Sequence, residues 1–123
     1  MARDVFNAGN LDLLKRSLDA YTLRQRVIAE NIAQVETPGY SSRSVDFEDA
    51  LQRALDRGET ALPEPVLRPD SPRALQGTTN GVNDVDLDRE MAALAETNLR
   101  HKLATRILSI RYQLLRSAIR GKG

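Results

Sequence analysis

A chain of 123 residues, 41% of them hydrophobic and 28% charged, suffices for one small domain, residues 1–123, and leaves little room for a second. The absence of cysteine excludes disulfides and thiolate metal sites, and no stretch approaches the ~20 apolar residues of a membrane-spanning helix. The net charge of +1 hides an uneven distribution: residues 1–40 carry five basic and five acidic side chains, residues 41–90 six and eleven, and residues 91–123 seven and one, so the middle stands at −5 and the last third at +6.

The first ten residues, Met1 to Asn10, lack the apolar run and small-residue cleavage site of a secretory signal. If the chain leaves the cytoplasm, it is expected to do so by a route without a cleaved signal. Aromatic residues are scarce, with no tryptophan, so a core must be built from Leu, Ile, Val and Ala, which suits helices packed side by side.

A first helix is predicted over residues 10–36. Leu11, Leu14, Leu18, Tyr21, Ile28, Ile32 and Val35 recur at three-four spacing, Asn10 is the expected N-cap, and Thr37-Pro38-Gly39 is a stop, because proline disfavours helical geometry in the residue before it. Residues 37–84 read as an irregular segment, since all five prolines fall between residues 38 and 72. Within it a short helix is expected at about 46–57, capped by Asp46 and ended by Gly58, while Glu59 to Gly81 shows no apolar period and is expected to form a mobile loop. The last helix is predicted over 86–120, with Asp86 or Asp88 at its start and Arg116 and Arg120 at its end, matching the helix dipole.

At 100° per residue, Leu99, Leu103, Ile107, Ile110 and Leu114 form one apolar stripe of this last helix. Leu94, Leu108, Tyr112, Leu115 and Ile119 form another, about 150° away. The first helix adds a smaller stripe, Leu13, Ala20, Leu23 and Val27, to its main one. The expected fold is all-α: two long antiparallel terminal helices in a coiled-coil hairpin, with a short helix and an irregular loop between them. A hairpin covers one stripe per helix, and a lone hairpin of this size is marginal. The surplus stripe points to assembly with other subunits; the competing reading is that the middle segment folds back over it.

The sequence offers little for chemistry, and no enzyme, cofactor or metal site is expected. His101, the only histidine, stands among Arg100, Lys102 and Arg106 and is expected at the surface, where these cations repel a metal. The run Asp84-Val85-Asp86-Leu87-Asp88 imitates the start of a calcium loop, but Arg89 stands where glycine is required and Ala95 where the bidentate Glu belongs, so capping is the better role. No phosphate-binding glycine loop, zinc-protease helix or nucleophile elbow is present. A different class stays open: a small coiled-coil regulator binding nucleic acid or anionic lipid through the basic last helix.

The segment Ala29-Glu30-Asn31-Ile32-Ala33-Gln34-Val35-Glu36-Thr37-Pro38-Gly39-Tyr40, followed by Val45-Asp46-Phe47, resembles the signature that ends the first helix of flagellar rod, hook and hook-associated proteins. The run Val85-Asp86-Leu87-Asp88-Arg89-Glu90-Met91, with Leu94-Ala95-Glu96 and the terminal Leu115 to Arg120, is similar to the C-terminal helix of the short proximal rod proteins. The resemblance covers about two thirds of the chain. It implies an axial structural subunit, exported by the flagellar type III apparatus into the periplasmic rod of the basal body, with no small-molecule substrate. Its partners would be other copies of itself, other rod proteins, the rod-to-ring adaptor and the export gate at the rod base.

The residues expected to carry assembly follow from both readings. They are Leu14, Leu18, Tyr21, Ile28, Asn31 and Ile32 on the first helix, and Thr37, Pro38, Gly39 and Tyr40 at its exit. On the last helix they are Leu103, Ile107, Leu108, Ile110, Tyr112, Leu114, Leu115 and Ile119. Asn31 and Thr37 are expected to turn the chain out of the helix, with Pro38 and Gly39 fixing the exit direction and Gly39 adopting a positive φ.

Overall fold

The computed structural model describes residues 8–59, 61–70 and 83–121. Along them run helix α1 (Ala8–Ala33), strand β1 (Arg43–Asp46), helix α2 (Glu48–Asp56), strand β2 (Val66–Pro69) and helix α3 (Leu87–Ile119). The expected helical architecture is present, with a small two-stranded sheet added to it.

Helix α1 already runs at Ala8, so Asn10 lies within it and is not the N-cap. It ends at Ala33, short of the expected residue 36, and unwinds through i→i+3 turns: the Val35 amide donates to the Ile32 carbonyl at 3.2 Å and the Thr37 amide to the Gln34 carbonyl at 3.0 Å. Such tightening is the usual way for the last carbonyls of a helix to find donors ahead of a proline. Gly39 follows at φ 78°, the left-handed turn that its lack of a Cβ permits.

The chain then extends into β1, which pairs antiparallel with β2 in the register Arg43–Pro69, Ser44–Arg68, Val45–Leu67 and Asp46–Val66. Part of the segment expected to be a mobile loop is thus an edge strand; residues 60 and 71–82 of that segment, like residues 1–7, lie outside the described residues. Alternation along β1 sends Val45 and then Phe47 inward, both buried, while Asp46 points away and pairs with Arg68 at 3.0 Å. Asp46 is therefore a strand residue and not the cap of α2. The N-cap position belongs to Phe47, which makes no side-chain cap bond. Burial of its ring, worth about 2–3 kcal/mol, fixes the start of the helix instead. Glu48 and Asp49 supply the negative charge that the first turn favours. Arg57 and Gly58 close α2: the Gly58 amide donates to the Leu55 carbonyl and the Glu59 amide to the Ala54 carbonyl, an αL termination with Gly58 at φ 68°.

Helices α1 and α3 pack on each other. The Asn31 side chain reaches Glu90 and the Gln25 side chain reaches Asn98 at 2.8 Å, so the two helices run in opposite directions. The residues of α3 that this packing buries are Glu90, Thr97 and Ala104, spaced by seven. On α1 they are Ala20 and Val27, again seven apart, with Ile28 and Asn31. Thr97 and Ala104 on α3 and Ala20 on α1 are the small side chains of this seam. Thr97 tolerates its buried position because its hydroxyl donates to the Ala93 carbonyl of its own helix at 2.7 Å. His101, expected at the surface, is half-buried and falls on the same side of α3 as Thr97 and Ala104.

Candidate functional site

Two features of this architecture carry functional weight: the junction where the ends of α1 and α3 meet the exit turn, and the outer surface of α3. The junction is centred on Asn31, which is 0% exposed. Its amide nitrogen donates to the Arg43 carbonyl at 2.8 Å and to Glu90 Oε2 at 3.1 Å, and its Oδ1 accepts from the Tyr40 hydroxyl at 2.8 Å and the Arg43 amide at 3.1 Å. Two donors and two acceptors are the whole hydrogen-bonding capacity of an asparagine side chain. One buried residue therefore ties together α1, the exit turn, β1 and α3.

The segment ahead of α3 straps the same turn. Asn83 donates from its side chain to the carbonyls of Gln34 and Thr37, at 2.5 and 2.6 Å, capping the frayed end of α1. Asp84 accepts from the Ser42 amide at 2.8 Å and the Ser41 hydroxyl at 3.2 Å. Asp86 then caps α3, accepting from the Arg89 amide at 3.2 Å. The acidic run that imitates a calcium loop thus holds the exit turn and starts the helix. Among the described residues no group of three or more His, Asp or Glu is placed to hold a metal ion.

Charges around the junction are arranged in pairs. Arg24 grips both carboxylate oxygens of Glu48 at 2.7 Å and also donates to the Val45 carbonyl at 2.9 Å, locking α1 to the start of α2. Burial alone would push the Glu48 carboxyl up, but hydrogen bonds from Arg24 and its own backbone, with the charges of Arg24 and Arg100, hold it below the usual value. Glu90 goes the other way. Burial, aided by the negative charges of Asp70 and Asp86, raises it against the opposing pull of the Asn31 hydrogen bond and of Arg89.

A carboxyl raised in the folded state binds its proton more tightly there than in the unfolded chain. Its contribution to stability is present at low pH and is lost as pH rises through the folded value. Glu90→Gln keeps an acceptor for Asn31 without the charge. Its unfolding free energy from urea titration at pH 7 is expected to equal or exceed that of the parent, by up to about 1 kcal/mol, and the parent's loss of stability above the ordinary carboxylate range is expected to flatten. A steeper pH dependence in Glu90→Gln would contradict this assignment.

The outer surface of α3 divides into three faces at 100° per residue. One, with Glu90, Thr97 and Ala104, turns toward α1. A second, about 120° round, carries Leu99, Leu103, Ile107, Ile110 and Leu114, all exposed, with Leu99 at 69% and Leu103 at 60%. The third, beside it, carries Lys102, Arg106, Arg116 and Arg120, also exposed. The strongest apolar stripe of the sequence is therefore the one that the hairpin leaves outside.

Of the other assembly candidates, Leu14, Leu18, Tyr21 and Ile32 of α1 are half-buried and Ile28 is buried. Leu108 and Leu115 are half-buried on the side facing α1, while Tyr112 and Ile119 are exposed. Thr37, Pro38 and Gly39 are exposed at the turn and Tyr40 is half-buried against Asn31. Thr37 donates its hydroxyl to the Gln34 side chain at 2.6 Å, bracing the turn locally. Asn31 works inside the chain, out of reach of a partner. Sequence reasoning did not assign Asn83, Asp84 or Glu90 to this junction, because their partners lie 42 to 59 residues away and no local pattern announces them.

No family model matches the chain. Individual relatives do, over most of its length. A flagellar basal body rod protein FlgB of Borrelia hermsii is 33% identical over 118 residues, covering 80% of this chain and 86% of the relative. The FlgB of Escherichia coli K12 is 30% identical over 113 residues, 77% of this chain and 81% of the relative. The chain belongs to the FlgB family of flagellar basal body rod proteins. A more distant FlgB, from Bacillus subtilis, is 27% identical but aligns over 93% of this chain and 95% of its own length. Membership of this family gives the chain a structural role in the flagellar basal body. The signature around Asn31 to Tyr40 that suggested the kinship is the part of the molecule that Asn31, Asn83 and Asp84 hold together.

Proposed function

We propose that this chain is a self-assembling subunit of the proximal flagellar rod, serving motility by joining the membrane-embedded base to the distal rod and hook. The whole chain acts as one unit. Helices α1 and α3 form an antiparallel coiled-coil hairpin, closed through the heptad-spaced small residues, and the apolar stripe from Leu99 to Leu114 packs against neighbouring subunits. Its exposure in the single chain is the observation that carries the reading, because a stripe of five large aliphatic residues on one helix is a liability unless something covers it.

The rod lies in the periplasm, and the subunit reaches it through the flagellar export apparatus. Other copies, other rod proteins, the rod-to-ring adaptor and the export gate are its partners, and it carries out no catalysis. A nucleic-acid or lipid-binding regulator would use the +6 charge of the last third but would leave the adjoining apolar stripe without a purpose. Electron microscopy of basal bodies from cells lacking this chain tests the proposal. Rings without rods, in non-swimming cells, are expected; intact rods would refute it.

A further inference from the structure

Pro63, Pro65, Leu67 and Pro69 stand at alternate positions of the sequence, and the register of the sheet gives that alternation a direction. Arg43, opposite Pro69, turns its amide and its carbonyl away from β2, where both meet the Asn31 side chain. The Val45 carbonyl, opposite Leu67, also points away from β2 and accepts from Arg24 at 2.9 Å. Directly opposed residues of an antiparallel ladder alternate between pairs whose backbone groups face each other and pairs whose groups face outward. Residues 67 and 69 therefore present their backbone to the outer edge of β2, while Val66 and Arg68 bond to β1. The Asp70 amide, which donates to the Ser42 carbonyl at 3.1 Å, obeys the same parity. Pro65, one step ahead of the strand, falls in the outward row.

The two edges of this sheet are closed by different means. On the β1 side, Asn31 offers Arg43 a donor and an acceptor, as a neighbouring strand would, and Arg24 covers the next outward carbonyl. On the β2 side no further strand pairs among the described residues, and Val66 and Leu67 are 49% and 42% exposed. An open edge that carries exposed aliphatic side chains is a template for a strand from another molecule. Here proline takes the amide hydrogen from two of the three outward positions and sets its ring where an incoming carbonyl would lie. Leu67 keeps the single outward donor of that row. Prolines that served only to stiffen a loop would have no reason to keep to one parity of the ladder.

We propose that Pro65 and Pro69 shut this sheet to strand addition by a second copy of the chain, leaving association between copies to the helices. The exposed stripe of α3 draws copies together, which also brings their sheet edges within reach of one another. A closed edge lets the first contact form without the second.

Variants of the full chain test this. Pro65→Thr/Pro69→Thr restores both outward donors with a residue that favours strands. It is expected to form thioflavin-positive, sedimentable aggregate at least about tenfold faster than the parent at equal concentration. Adding Leu67→Pro to that variant returns a proline to the outward row without removing a ladder bond, and should bring the rate back to within about threefold of the parent. Such a rescue separates edge closure from mere loss of stability, because a further proline does not refold an unfolded strand. In the parent, the Leu67 amide should exchange with deuterium at least about tenfold faster than those of Val66 and Arg68. A double variant that aggregates no faster than the parent, a triple variant as prone as the double, or a Leu67 amide as protected as its neighbours would each overturn the proposal. None of these measurements involves a rod, so their failure leaves the rod-subunit reading where it stands.

Discussion

Asn31→Ala is expected to lower the stability of the folded chain by about 3–4 kcal/mol, most of what a small domain possesses. The side chain is fully buried and fills all four of its hydrogen-bonding positions. Its removal orphans the Arg43 amide and carbonyl, the Tyr40 hydroxyl and a carboxylate oxygen of Glu90 together. Each buried group left without a partner costs about 1–3 kcal/mol, more when charged; a water in the cavity can satisfy one or two but not all four. Urea unfolding followed by far-UV circular dichroism should show a midpoint lower by about 2 M, taking a slope of about 1.5 kcal/mol per molar. A drop smaller than about 0.5 M would show that Asn31 is not the tie. In the double variant Asn31→Ala/Glu90→Gln the total loss should be smaller than the sum of the two, because the orphaned acid is then neutral.

The helices were legible in the sequence because they announce themselves locally. The three-four spacing from Leu11 to Ile32 found α1, and Asp86 and Gly121 bracketed α3 to within a residue or two of its ends. The exit turn was equally plain, since Pro38 and Gly39 determine it by their own backbone preferences. The sheet was hidden for the opposite reason. Strands of four residues are too short to stand out as a pattern, β2 is exposed along its whole length, and their pairing spans a helix and two turns. Asp46 looked like a cap because its partner Arg68 is 22 residues away, and only the fold brings them to 3.0 Å.

The stripes of α3 teach a related point about packing. Size drew attention to Leu103, Ile107 and Ile110, yet the face that closes on α1 is the side of the second stripe, Leu94, Leu108 and Leu115, and its buried members are Glu90, Thr97 and Ala104. On α1 the fully buried Ala20 is likewise a small residue. The bulky aliphatics stay outside that seam and are exposed in the single chain. The pattern of seven was present in the sequence, but it ran through small and polar residues.

That division of labour predicts opposite consequences for substitutions only a turn apart. In Leu103→Asp/Ile107→Asp both side chains change where they already meet water, so the unfolding free energy from urea titration should change by no more than about 0.5 kcal/mol and the helical signal should persist. In an assembled rod the same carboxylates would be buried without partners, at a cost of several kcal/mol per subunit, against an apolar gain of about 1–2 kcal/mol for each half-exposed aliphatic side chain covered. Assembly should fall by at least about a hundredfold, and cells carrying the variant should make the subunit but neither rods nor a swimming phenotype. Ala104→Asp, one turn away on the buried face, should instead unfold the chain before assembly is at issue. Swimming cells with the double variant would show that the exposed stripe is no lattice contact; a collapse of monomer stability would show that it is covered within the chain after all.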